Sequence, residues 1–426
     1  FRLSVQPQEN HQKLIFISLS SQVDRHFIYE QMYNISTEFE KWRHIYDHLS
    51  GSMQLEGNIR IFKTQQPETS YTDIVLHSKM QGMTLDLPHP LLKTAEQSLP
   101  FRLHAFVPKV GDTTVRVNFG QAVNTTLNFN PGLTRGTILL GDDKPVDLPE
   151  NNELQLIGKT SQLSWYAWQH LLFGEQPPEA RSKDKFPLPF LIDLKTARLD
   201  VFGQLFDEVN IKAQLKDEIW HVSLVGQGIN GKIQYDNTQS HPTAHLVFKN
   251  LIIPPQDETK PELNDNETLD TTDPRDLPTM TFHADNLQFG KMFLGNVNIY
   301  TYPTERGMFI DLVEAKNNGL NIAARGEWKY QDEQQYTALT VWMDSKNIPV
   351  FLQNLGFSHS PISGGTAQIE MDVQWLDTPY RFKLAKLKGK LRFLLTDGQI
   401  VDVDPGVGRV IGLFDLTVLP RRISLD

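Results

Sequence analysis

Apolar and polar residues alternate with a period of two along much of this chain. Met53, Leu55, Ile59 and Ile61 alternate with Gln54, Glu56, Asn58 and Arg60, and Val115, Val117 and Phe119 with Thr114, Arg116 and Asn118. Val209, Ile211, Ala213 and Leu215 do the same, as do Leu320, Ile322, Ala324, Trp328 and Tyr330. The longest case sets Ala367, Ile369, Met371, Val373 and Trp375 against Thr366, Gln368, Glu370, Asp372 and Gln374. Successive side chains of a strand point to opposite faces, so each stretch predicts a strand with one dry and one wet side. At about 3.3 Å per residue, the last would run roughly 35 Å. The expected fold is mainly β: an extended, twisted antiparallel sheet curling into a hydrophobic groove, with a few short helices.

Helical spacing is rare. Ile35, Phe39, Trp42, Ile45 and Leu49 predict a helix near 36–49, with Gly51 just past its end. A second is expected near 164–173, carrying Trp165, Trp168 and Leu172, and a third carries Ile348, Leu352 and Leu355 and closes at Gly356. A fourth would open at Asp404-Pro405. Residues 174–189 and 254–279 read as loops, the first proline-rich and the second an acidic insertion. Length divides the chain into expected units 1–158, 159–344 and 345–426.

Composition narrows the function. Net charge is −10, which lacks the basic footprint of a nucleic-acid binder. Cysteine is absent, so disulfides, thiolate metal sites and cysteine nucleophiles are excluded. The longest apolar run is four residues, against roughly 20 for a membrane-spanning helix. The chain opens at Phe1 inside strand-like sequence, which suggests an excised piece whose anchor lies elsewhere.

Candidate chemistry is sparse. His44 and His48 share a helix face but lack the glutamate of a metalloprotease, and His241 and His245 flank Pro242 at a strand beginning. Pro405-Gly406-Val407-Gly408-Arg409 is a weak phosphate loop, and Asp402 and Asp404 permit a carboxylate pair without requiring one. No nucleophile elbow is present. No catalytic residue, metal or cofactor is expected.

Leu387 to Phe393, Asp397 to Gly406, Gly408 to Leu413 and Leu419-Pro420-Arg421-Arg422 form a specific block. It resembles the C-terminal region of YhdP-like proteins in the AsmA superfamily of Gram-negative bacteria. Met80-Gln81-Gly82-Met83-Thr84-Leu85-Asp86-Leu87-Pro88-His89-Pro90 with Lys93 resembles the same family's Gly-Leu-x-x-Asp-Leu-Pro-x-Pro segment. The resemblance implies a periplasmic, non-enzymatic protein tethered to the inner membrane by an N-terminal helix absent here. It also implies a trough that conducts phospholipid between the inner and outer membranes.

Val115, Val117, Phe119, Ile322, Trp328, Ile369, Met371, Val373 and Trp375 are the residues expected to line such a groove. The same alternation also suits the closed core of a β-sandwich. A structural or partner-binding periplasmic module that supports the envelope without carrying lipid is therefore the alternative.

Overall fold

The computed structural model describes residues 2–7, 13–35, 43–173, 188–201, 203–238, 241–254, 273–331, 334–381 and 387–401. They fall into two compact units, Phe1–Thr238 and Gln239–Asp426. The fold is mainly β with a few short helices, as the alternation requires.

In the first unit the strands are β1 (Arg2–Pro7), β2 (Lys13–Asp24), β3 (Leu49–Lys63), β4 (Tyr71–Ser78), β5 (Met83–Leu85), β6 (Phe101–Pro108) and β7 (Thr113–Phe119). They continue with β8 (Val123–Phe129), β9 (Leu133–Leu140), β10 (Leu154–Ser164), β11 (Phe190–Val201), β12 (Gln204–Lys216), β13 (Ile219–Gly226) and β14 (Ile229–Asp236). Hydrogen bonding joins β1 to β4, then β6 to β14, in sequence order, while β5 pairs with the start of β3. The second unit runs β15 (Thr243–Ile253), β16 (Thr279–Phe289), β17 (Met292–Thr304), β18 (Gly307–Asn317), β19 (Leu320–Gln331), β20 (Gln334–Ser345), β21 (Ile362–Leu376) and β22 (Lys388–Ile400). These also pair in sequence order. The strands of neither unit close into a barrel among the described residues. Adjacent strands twist by roughly 20–25°, so ladders this long curl.

Most strand pairs among the described residues are antiparallel, as expected, and three are parallel. β9 with β10, β10 with β11, and β15 with β16 are parallel. Parallel neighbours need a crossover of a dozen or more residues, and each of these junctions has one. Residues 141–153 cross from β9 to β10. There Thr126 and Thr137 donate their hydroxyls to the carbonyls of Val146 and Asp147, both at 2.8 Å. The two predicted loops, 174–189 and 254–279, lie in the other crossovers. Residues 174–187 and 255–272 are outside the described residues.

Helices α1 (Arg25–Ile35), α2 (Arg43–Asp47), α3 (Trp165–Phe173) and α4 (Ile348–Asn354) are short. The two helices expected near 164–173 and after Asn347 are α3 and α4. Asn347 caps α4 by accepting from the Val350 N–H, and Gly356 follows at φ +92°. The helix near 36–49 is different. Its described part is only α2, residues 36–42 being outside the description. Gly51 lies within β3 instead of ending a helix. It adopts φ +81°, and a Cβ there would stand 2.1 Å from the Gly82 carbonyl oxygen, so backbone approach rather than helix termination demands glycine. Helix α1 was not foreseen. It starts where Asp24 Oδ1 accepts the Phe27 N–H at 2.9 Å. The helix at Asp404 falls outside the described residues.

Candidate functional site: an apolar lane on each sheet

Register decides which side chains share a face, because directly paired residues project to the same side. Following the pairs across the second unit gives continuous apolar rows. One runs Phe248, Ala284, Val297, Ala315, Ile322, Met343, Ile369 and Phe393. The next runs Leu246, Phe282, Ile299, Val313, Ala324, Val341, Met371 and Leu391, and a third includes Ile310, Gly326, Leu339 and Val373. No charged residue occupies a position in these rows. Seven strand spacings of about 4.8 Å make a lane roughly 34 Å long, and the three rows span about 13 Å along the strands.

The margins of this lane are built by local sequence. On one side α4 places Ile348, Phe351 and Leu352 against Leu320 and Ala367, all almost fully buried, with Ile322, Met343 and Ile369 packed beside them. On the other side Trp328 and Trp375 are each 4% exposed. The segment after β21 folds over them. The Tyr380 ring meets the Trp328 ring edge-on at 5.8 Å, and Trp375 Nε1 donates to the Thr378 carbonyl at 3.0 Å. Trp328 Nε1 donates to Gln335 Oε1 at 2.8 Å, so its one polar atom is satisfied. Between the margins Met371 and Val373 are half-buried, with no described helix or sheet packed across them.

The first unit repeats the arrangement on a longer ladder. Ile59, Ile74, Ala105, Val115, Leu127, Gly136, Leu154, Phe190, Leu215 and Trp220 are consecutive partners. Beside them run Leu76, Leu103, Val117, Thr125, Ile138, Leu156, Ile192, Ala213, Val222 and Ile233. A third row includes Phe101, Phe119, Val123 and Leu140. One margin is a packed cluster of Val23, Met53, Met80, Met83 and Leu85, with Ile28 of α1 and Phe119 against it. Lys93 lies under this margin at 2% exposure, donating through Nζ to the carbonyls of Met83 at 2.6 Å and Thr94 at 2.8 Å. Burial holds the Lys93 ammonium below its ordinary pKa, with the Glu96 carboxylate opposing the shift. Its role is to tie the 79–99 segment down, which sequence reasoning left as a family motif without a purpose.

The ion pairs between neighbouring strands stand on the opposite faces. Lys212 pairs with Asp193, Arg392 with Glu370, and Arg60 and His104 with Asp73. The exposed pairs, Lys212–Asp193 and Arg392–Glu370, add little stability, but they keep one face wet while the other stays dry.

All nine residues named from the sequence stand on the apolar faces: Val115, Val117 and Phe119 on β7, Ile322 and Trp328 on β19, and Ile369, Met371, Val373 and Trp375 on β21. Seven are half-buried, whereas the two tryptophans are walls covered by the turn after β21. Sequence reasoning missed most of the floor. On β20, Leu339, Val341 and Met343 alternate with Ala338, Thr340, Trp342 and Asp344, and the apolar Ala338 and Trp342 on the wet face blur the signal.

Of the chemical candidates, His245 Nδ1 only meets the Thr281 hydroxyl at 2.6 Å. The His44 side chain, Asp402, Asp404 and residues 405–409 lie outside the described residues. Among the described residues no group of three or more His, Cys, Asp or Glu could hold a metal ion, and no helix is long and apolar enough to cross a membrane.

The YhdP protein family matches residues 2–426. The chain is 22% identical over 397 residues to a protein of Escherichia coli (strain K12) described as the intermembrane phospholipid transporter YhdP. That alignment covers 89% of this chain and 30% of the relative, so the chain spans under a third of the relative's length. No solved structure matches. A family match over nearly every residue, on a chain whose sheets each carry a charge-free apolar face, makes this protein a member of the YhdP family.

Proposed function

We propose that this chain is a non-enzymatic section of a phospholipid conduit. The apolar lane of each sheet shields acyl chains as lipid moves between the inner and outer membranes, across the periplasm. The observation that carries the reading is that Leu339, Met371 and Val373 are only half-buried in a face that stays apolar for eight strands, with no second layer upon them among the described residues. A closed sandwich would bury those side chains against a facing sheet.

The physical demand is simple. Exposing acyl chains to water costs about 0.8 kcal/mol per CH₂, so two ordinary chains amount to on the order of 20 kcal/mol. A dry strip removes most of that barrier at every position and needs no catalytic group. The lane supplies contact without directional bonds, which suits sliding. Val115, Val117, Phe119, Ile322, Ile369, Met371 and Val373 are the proposed acyl-chain contacts, and Trp328 and Trp375 the side wall that retains them.

The test is native mass spectrometry of gently purified protein, paired with a transfer assay between donor and acceptor vesicles. Copurifying phospholipid, lost when Met371 or Val373 is replaced by a charged residue, supports the conduit. Lipid-free protein, with those variants functioning as wild type in cells, would favour a module that serves the envelope without carrying lipid.

A further inference from the structure

The wet face of the first unit carries a second feature that lipid shielding does not use. Arg60, Tyr71, Asp73, His104, Phe106 and Arg116 line one shallow cavity of about 430 Å³ on β3, β4, β6 and β7. Its centre is Asp73, whose side chain is 8% exposed, bonded to Arg60 at 2.5 Å and to His104 Nε2 at 2.7 Å. Asp73 therefore spends its charge on these two neighbours and fixes their positions. Arg116 has no such partner. Its ladder neighbours are His104 and Thr126, and the described residues show no ion pair to it. The Tyr71 ring stacks against Phe62 and Phe106, both at 5.3 Å, forming a dry wall beside the cations. Low-dielectric walls strengthen charge interactions in the space they border.

We propose that this cavity is an oxyanion site, taking a phosphate or phosphate monoester between the guanidinium groups of Arg116 and Arg60. Guanidinium presents paired N–H donors that match phosphate oxygens, and Arg60, with its side chain 54% exposed, keeps an edge free beside its bond to Asp73. Two guanidinium groups and an imidazole surround one spent carboxylate, in a chain whose net charge is −10. The sheet separates this cavity from the apolar lane, so a lipid lying in the lane cannot place its headgroup here. The phosphate comes either from solution or from a bilayer surface facing this side.

Titration calorimetry with inorganic phosphate, and flotation with vesicles of phosphatidylglycerol and phosphatidylethanolamine, separate the two sources. Arg116→Gln leaves the Asp73 bonds intact and isolates the site from folding. Arg392→Gln, on the wet face of the other unit, removes the same charge elsewhere. The expected result is saturable phosphate binding weakened about tenfold in Arg116→Gln and less than about twofold in Arg392→Gln. Arg116-dependent flotation without binding of free phosphate assigns the same chemistry to a bilayer surface. Absence of both, or binding that the two variants weaken alike or that Arg116→Gln leaves intact, overturns the site.

Discussion

The two units carry the same kind of floor but different margins. In the second unit the lane is walled on both sides, by α4 and its leucine and phenylalanine cluster and by the Trp328, Trp375 and Tyr380 group. In the first unit the part floored by β3 to β7 has one packed wall, the Met53, Met80 and Met83 cluster. No described helix packs across its other margin, where the exposed Val110 stands in the β6–β7 turn. The comparison separates two jobs that alternation merges: a floor needs only paired apolar strands, whereas a wall needs a helix or turn folded back over the sheet. Walls are therefore densely packed and stabilising, whereas the floor joins buried residues such as Val297, Ala315 and Val341 to half-buried ones such as Leu339, Met371 and Val373.

Truncating a wall should hurt folding most. Trp328→Ala is expected to cost about 3–5 kcal/mol in denaturant unfolding, while Phe282→Ala, half-buried in the floor of the same unit, should cost visibly less. Equal losses would erase the distinction between wall and floor. Next comes the anchor of the first unit's wall. Lys93→Met removes the donor to the buried Met83 carbonyl and to the Thr94 carbonyl, and should lower stability by about 1–3 kcal/mol without altering the second unit.

A charge on the floor should act oppositely, sparing the fold and harming transport. Met371→Asp, in the two-walled lane, is expected to reduce bound phospholipid about tenfold, against the desolvation a carboxylate imposes there. Val117→Asp should reduce it by less, because the lane beside it has an open margin through which chains can shift. Circular dichroism of both variants should match the parent.

The smallest effect concerns pH. Burial pushes the Asp73 carboxyl upward, but hydrogen bonds from His104 and Arg60 outweigh it and hold its pKa below the ordinary value. A depressed acid pKa contributes stability above the unfolded value of about 3.9, lost as pH falls through the folded value. The first unit should therefore lose this contribution only in acid, and Asp73→Asn should flatten that limb by under about 1 kcal/mol.

Much of this was legible because period-two patterning is local. The strands containing Val115, Val209, Ile322 and Met371 follow directly from it, as do α3 and α4 from the spacing of their apolar residues. What joins them was not legible. Register is a long-range property, so the row linking Leu246 of β15 to Leu391 of β22 cannot be read from any single stretch. The parallel junctions were hidden because crossovers look like loops, and α1 because Arg25–Ile35 lacks a clear apolar stripe. Alternation puts Trp328 and Trp375 on the apolar face but does not reveal their burial. Only the fold shows that residues 377–381 close over them.

The most direct test places a photocrosslinking residue at Met371 or Val373 and, as partners on the opposite face of the same strand, at Asp372 or Gln374. The conduit account predicts phospholipid adducts from the first pair and none from the second. Equal labelling of both faces, or none from either, would contradict it.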